Sequence, residues 1–300
     1  MDAYDAATVI EEQAMLRVRE IYTAALRRAL KKKKAFLQIV EAVRTGKKKP
    51  PAFYVNQGEE AVEKWKQGFL RELIRQERVI EGIIAELKAA GVEAADVIRG
   101  SMADIYQTNR AEAVQVLSAA AEQAGVNMSF AQFDNRQIAV ILQEHESPMS
   151  KIAYNNLGDN PAIRRALQNE LAQSAILGEG QQKLIRRIMR VAGYKTTAQA
   201  KRVAQTERTR VQSEARWMAG EEAKEAGVGV YNTWSTRMIN SRDTHISLNG
   251  KKAMQGDSFV TSAGNLLRFP GDPSAPASEV INCHCVLVPD VLLPGETLED

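Results

Sequence analysis

The chain has 300 residues, 44% hydrophobic and 26% charged, a balance that fits a folded globular protein and excludes a disordered or collagen-like one. That length suits two domains, or one domain with a long helical extension. The formal charge of +3 is unevenly spread: residues 1–50 hold twelve Lys/Arg against six Asp/Glu, so the basic end is the N-terminus.

No run of eighteen apolar residues occurs, and the opening residues lack the basic-then-apolar order of a secretory leader. A cytosolic product is the expectation, with no membrane partner evident. Two cysteines in the whole chain argue against a disulfide framework and for a reducing compartment.

In chain order, Tyr22, Leu26, Leu30, Leu37 and Val40 recur at helical spacing and predict a first helix from about Ala6 to the TGKKKPP stretch, Thr45 to Pro51. Val62, Trp65, Phe69, Leu73, Ile80, Ile83 and Leu87 predict a second from about Gly58 to Ala90, closed by the glycine of AAGV. Further helices are expected at about 95 to 123, 130 to 145, 161 to 176, 180 to 191 and 197 to 226. The segment from His145 to Pro161 reads as a hinge. From Gly227 onward seven glycines and five of the nine prolines separate short runs such as VGVYNTWST and VINCHCVLVP, which read as strands and turns. The fold class predicted is α+β: a long, mostly α-helical N-terminal portion, residues 1–150, followed by a compact C-terminal α+β domain with short strands, residues 160–290, and a tail, 291–300.

The chemistry-bearing residues gather at the C-terminal end. Cys283 and Cys285 flank His284, one of only three histidines. If EVINCHCVLV is a strand, both thiols share one face, about 6.6 Å apart at Cα, too far for an easy bridge but a natural pincer for a metal. Zinc needs further ligands, and Asp243 and His245 in SRDTHISLNG have the same i, i+2 spacing. In a loop, His284 would take a place instead. Two other readings stand beside this one: the cysteines as small buried hydrophobes, or a reactive thiol with His245 as its base. Structural zinc is the cofactor the first reading implies; no cofactor is certain.

Arg27, Arg28, Lys31, Lys32, Lys33, Lys34, Lys47, Lys48 and Lys49 form a basic set able to neutralise phosphates or meet an acidic protein, or simply a solvated face. The helix AQTERTRVQSEARWMAGEEAKEAGV places Thr206, Glu207 and Arg210 close together, either as a solvated face held by ion pairs or as buried polar structure. His145 has no partner pattern and reads as a surface residue at a helix end.

Taken in order, ILGEGQQKLIRRIMR, AQTERTRVQSEARWMAG, GVGVYNTWSTRMINSRDTHISLNGKKAMQGDSFV and LLRFPGDPSAPASEVINCHC resemble the phage Mu protein F-like family of minor head proteins of tailed phages, also called the phage head morphogenesis family. The resemblance runs from about Ile176 to Pro289. It places the family's Thr-Glu pair on Thr206 and Glu207 and its tryptophan on Trp234. It also places the R-x-x-H on Arg242 and His245, followed by Leu248 and Gly250. The Pro-Gly-Asp-Pro turn falls on Pro270, Gly271, Asp272 and Pro273, and the terminal Asn-Cys-x-Cys on Asn282, Cys283 and Cys285. His284 departs from the arginine the family usually has there. The resemblance implies a structural virion protein, in the head interior or at the portal vertex and in the host cytoplasm during assembly. The implied partners are the portal protein, capsid and scaffold components, and packaged double-stranded DNA. Two alternatives are a zinc-dependent hydrolase or nuclease, with Asp243, His245, Cys283 and Cys285 at the metal and Glu207 as base, and a nonspecific DNA-binding accessory protein.

Overall fold

The computed structural model describes residues 3–32, 38, 41–43, 45–75, 78–158, 160–176, 181–237, 241–293 and 295–298. Among these, the helices are α1 (Ala3–Lys32), α2 (Ala52–Val55), α3 (Glu59–Arg75), α4 (Arg78–Gln123), α5 (Asn135–Glu144), α6 (Pro148–Asn155), α7 (Pro161–Ile176), α8 (Gln181–Glu225), α9 (Asp243–Ile246) and α10 (Ala277–Val280). The strands, all C-terminal to α8, are β1 (Val230–Ser235), β2 (Lys252–Met254), β3 (Phe259–Val260), β4 (Leu266–Leu267) and β5 (Val286–Val291). The α+β class therefore holds, with its helical and strand-bearing parts in the expected order. Leu37 and Val40, expected on the apolar side of the first helix, lie outside the described residues.

Several helix boundaries differ from expectation, each for a local reason. Gly91 does not end a helix: α4 runs through it, and glycine is required there because a Cβ would lie 1.8 Å from the Leu157 carbonyl oxygen. Gly158 mirrors it, since its own Cβ would lie 2.0 Å from the Leu87 oxygen. Two glycines thus permit a backbone-on-backbone approach that no side chain allows. The expected helices at 180–191 and 197–226 are one element, α8, with Gly193 and Thr196 inside it. The Thr196 hydroxyl turns back to the Ala192 carbonyl, 2.8 Å away, so its polar group is satisfied without breaking the helix.

The stretch read as a hinge contains α6. Pro148 stands at its first position and Ser147 before it, whose Oγ accepts from the Ser150 N–H at 2.9 Å, a serine cap followed by a proline suited to the first turn. The helix expected from 130 begins only at Asn135, where Asp134 and Gln137 form a reciprocal capping box.

Two compact units divide the chain, and each gathers separate segments: 1–15, 96–153 and 201–300 in one, 16–95 and 154–200 in the other. In the second unit the buried apolar residues include Leu26, Ile83, Leu87, Ile163, Leu167, Leu184 and Ile188, spaced for one face of each contributing helix.

The first unit holds a three-stranded sheet in the order β2-β1-β5 and a two-stranded one, β3-β4, all antiparallel. Val230, Asn232 and Trp234 of β1 point inward and alternate with half-buried residues, the period-2 signature of a sheet covered on one face. Its core carries two apolar clusters. One joins Ala113, Leu117 and Ala121 of α4 to Ala219 and Ala223 of α8 and to Val228, Val230 and Val291. The other joins Trp234, Leu248, Phe259, Leu267, Phe269 and Leu287 to both cysteines.

Candidate functional site

EVINCHCVLV is not one strand. α10 occupies 277–280, β5 starts only at Val286, and the cysteines lie in the connection between them, so strand alternation does not explain their facing. Asn282 takes φ 62°, a left-handed conformation that asparagine tolerates better than most residues, and its N–H donates to Thr206 Oγ1 at 3.0 Å. The turn brings both thiols inward to one imidazole: Cys283 Sγ and Cys285 Sγ each lie 3.5 Å from His245 Nδ1. His245, Cys283 and Cys285 are 1%, 2% and 1% exposed, and their ligand atoms all fall within 4.8 Å of one another.

Four segments hold this group. α9 carries His245, and Arg242 just before it donates to the carbonyls of Ser278 and Ile281, tying α9 to the cysteine turn. β1 supplies Trp234, whose ring meets the imidazole edge-on at 5.1 Å and 80°. Gly250, at φ 77°, donates to the Trp234 carbonyl at 2.8 Å, which closes the turn after α9 onto the strand. Behind the imidazole, α10 contributes Glu279, whose Oε2 stands 3.0 Å from His245 Nε2, though not in hydrogen-bond alignment.

Glu279 is itself buried and well supplied with donors: Asn265 Nδ2 at 2.9 Å and Thr261 Oγ1 at 3.4 Å on one oxygen, Thr244 Oγ1 at 2.9 Å on the other. Burial pushes its carboxyl up, but the hydrogen bonds from Asn265 and Thr244 and the charges of His245 and Arg242 outweigh that and hold it below the usual range. Between the two thiols, the hydrogen bond from Cys285 draws Cys283 well down with help from His245, while the same bond and burial push Cys285 up. The pair thus favours one thiolate and one thiol.

α8 secures the turn from beneath. Gln205 Nε2 at 3.1 Å and the Thr209 hydroxyl both donate to the Cys283 carbonyl, and Gln212 Nε2 reaches the Cys285 carbonyl at 3.5 Å. Every residue from 203 to 216 is buried. The charges there are paired. Arg210 binds Glu207 at 3.0 Å and Glu214 at 2.8 Å; Arg208 meets Glu11 at 2.9 Å; Arg216 engages Glu112, Asn109 and the Leu287 carbonyl. The second oxygen of Glu207 accepts from the Ser150 hydroxyl. Of the two readings of this helix, buried polar structure is the one the fold adopts.

The Pro-Gly-Asp-Pro turn also lands on α8. A Cβ on Gly271, at φ 81°, would stand 2.8 Å from the Arg210 backbone, so glycine is what lets the turn approach. Asp272 is buried and accepts from the Arg268 N–H and guanidinium and from the Ser274 N–H and hydroxyl. Pro270 is buried beside it.

Among the residues expected at a metal, Asp243 is exposed and outside the group, and His284 lies half-buried elsewhere on the turn. The residues missed from sequence are Glu279, Gln205, Thr209 and Gln212. Only Glu279 carried a usable signal, as a carboxylate four residues before the first cysteine. His145 also has an unexpected partner, its Nδ1 lying 2.6 Å from Glu214 Oε1. Of the basic set, Arg27, Arg28, Lys31, Lys32, Lys47, Lys48 and Lys49 are exposed, with Glu86 pairing to Arg28 and Lys32; Lys33 and Lys34 lie outside the described residues.

Polar side chains of α8 thus clamp the C-terminal turn that carries both cysteines. Residues 165–288, less than half of the chain, match the family model described as Phage Mu protein F like protein, and over that region the chain is similar to this family of structural phage head proteins. A search of curated proteins and a search of solved structures each gave no match. The matched region contains α8, β1 to β4, the start of β5 and the whole cysteine turn. No helix among the described residues is long and apolar enough to cross a membrane.

Proposed function

We propose that the chain is a minor head protein that binds the portal vertex and supports head assembly and the packaging and delivery of DNA. The observation that carries this reading is the family match over 165–288, which spans the motifs that build the clamp between α8 and the cysteine turn. The clamp ties the cysteine turn to α8 by hydrogen bonds, an arrangement suited to presenting a fixed surface to portal, capsid or scaffold proteins. Co-expression with the portal protein of the same genome, followed by size-exclusion chromatography with light scattering, tests it. Co-elution at a defined ratio is expected; separate elution from both portal and procapsid overturns the portal assignment.

Packaged DNA is the second partner in this reading, favoured by the exposure of Lys31 and Lys47 to Lys49 near one another in sequence. Neutralising them lowers the slope of log affinity against log salt by about 0.9 for each phosphate that is no longer neutralised. An unchanged slope removes this patch. The hydrolase alternative finds no support in its proposed base, because Glu207 is engaged by Arg210 and Ser150.

A further inference from the structure

Burying an imidazole and a carboxylate among apolar rings is costly unless they have partners, and here the imidazole is aimed at two thiols with the carboxylate standing behind it. The cysteine carbonyls are fixed by α8, the imidazole is walled by Trp234, and Glu279 is oriented by donors from three different residues. A simple pair of buried hydrophobic cysteines requires none of this.

Tetrahedral zinc has Zn–S near 2.3 Å and Zn–N near 2.0–2.1 Å, which makes the nitrogen-to-sulfur edge about 3.6 Å. Both observed edges, His245 Nδ1 to Cys283 Sγ and to Cys285 Sγ, are 3.5 Å. A ligating histidine ordinarily presents its other ring nitrogen to a carboxylate, and Glu279 stands at His245 Nε2, 3.0 Å away. Two soft sulfurs with one imidazole select zinc over the hard oxygen-loving cations.

We infer that His245 Nδ1, Cys283 Sγ and Cys285 Sγ form a zinc-binding site, with Glu279 as the positioning residue behind the histidine. The fourth position falls to water, since no fourth His, Cys, Asp or Glu among the described residues joins the group. Binding releases the remaining thiol proton and leaves both sulfurs as thiolates. The ion then joins α9 to the turn between α10 and β5, so its role is to lock the C-terminal strand against the R-x-x-H helix. This inference stands independently of the portal assignment, because it concerns the site's content and not its partner.

The test uses the full chain, kept reduced. Metal analysis after gel filtration should give one zinc per chain. Titration of the demetallated protein with Co2+ should show a thiolate-to-cobalt charge-transfer band and the visible bands of a tetrahedral ion, saturating at one equivalent. Glu279→Gln should weaken Co2+ binding about 10- to 100-fold while keeping the stoichiometry. Asp243→Asn should leave it unchanged. If the demetallated chain does not stay folded, the zinc content of the protein as purified decides. A folded, reduced chain with neither zinc nor a cobalt charge-transfer band overturns the site, as does full binding by a Cys283→Ser, Cys285→Ser double variant. An unchanged Co2+ affinity in Glu279→Gln removes Glu279 from it.

Discussion

Along residues 182–202 of α8, buried positions come only every fourth residue, at Leu184, Ile188, Ala192, Thr196 and Ala200, and arginines such as Arg186 and Arg190 face solvent. Along residues 203–216 no position is exposed, although Glu207, Arg208, Arg210, Glu214 and Arg216 carry charge at much the same density. One continuous helix thus has similar composition and opposite surroundings at its two ends. The difference lies in what the other segments bring: Glu11, Glu112, Ser150 and the carbonyls of Cys283, Cys285 and Leu287 arrive from far along the chain to satisfy the second half. A polar helix is buried when its neighbours supply partners, and not because its own residues are apolar.

The largest effect should come from breaking that supply at its centre. Arg210→Ala leaves Glu207 and Glu214 as buried carboxylates without their cation, and removing one partner of a buried pair costs about 3–5 kcal/mol. Urea unfolding should show a lowered midpoint at unchanged slope, and a loss under 1 kcal/mol would mean that solvent reaches this pair. Next, Gly271→Ala forces a Cβ onto the Arg210 backbone at a left-handed φ, at a cost of about 1–3 kcal/mol read in the same way. Thr209→Val keeps the shape and removes one donor from the Cys283 carbonyl, which Gln205 still serves, so about 1 kcal/mol is expected.

How much of this is legible in the sequence varies with the distance between partners. Helical structure along α8, though it reads as two helices, and the strands after Gly227 follow from local pattern, and the juxtaposition of His245 with both cysteines is one of the readings their spacing leaves open. The burial of 203–216 does not, since Gln205 and the carbonyl it serves are 78 residues apart. Strand alternation puts Cys283 and Cys285 on one face for the wrong reason. The left-handed turn at Asn282 is what aims both inward, and only its Asn hints at that. Asp243 shares the i, i+2 spacing with the cysteine pair, but α9 is a helical turn, and there that spacing does not put two side chains on one side. Gly91 reads as a helix stop because glycine usually marks one; its actual reason, the approach of Leu157, lies 66 positions away.

A smaller effect sharpens the comparison through pH. Burial alone would raise the Asp272 carboxyl, but the Arg268 guanidinium and the Ser274 and Arg268 N–H groups hold it below its ordinary value. A folded pKa depressed below the unfolded value of about 3.9 means that the stabilisation is complete above that pH and is lost as pH falls through the folded value. Urea midpoints measured from pH 5 downward should therefore fall more steeply in the wild-type chain than in Asp272→Asn, whose side chain does not titrate. Parallel curves would show that Asp272 carries no such linkage. The facing groups are Arg268 and Ser274, with Arg268 partly exposed, so added salt should shrink the difference.

The smallest effect is the control that gives the comparison its force. Arg186 is exposed on the half of α8 that is buried only along one stripe, and truncating it removes charge and stem from solvent without stranding a buried carboxylate. Arg186→Ala should change stability by no more than about 0.5 kcal/mol, against the several expected at Arg210. Both are arginines in the interior of the same helix, so helix propensity, which differs little between arginine and alanine, contributes almost equally to both. The ratio of the two losses then measures the supply of partners and nothing intrinsic to the residue. If Arg186→Ala cost as much as Arg210→Ala, the contrast between the two halves would have to be abandoned, and the composition of α8 would again be the simpler account of its stability.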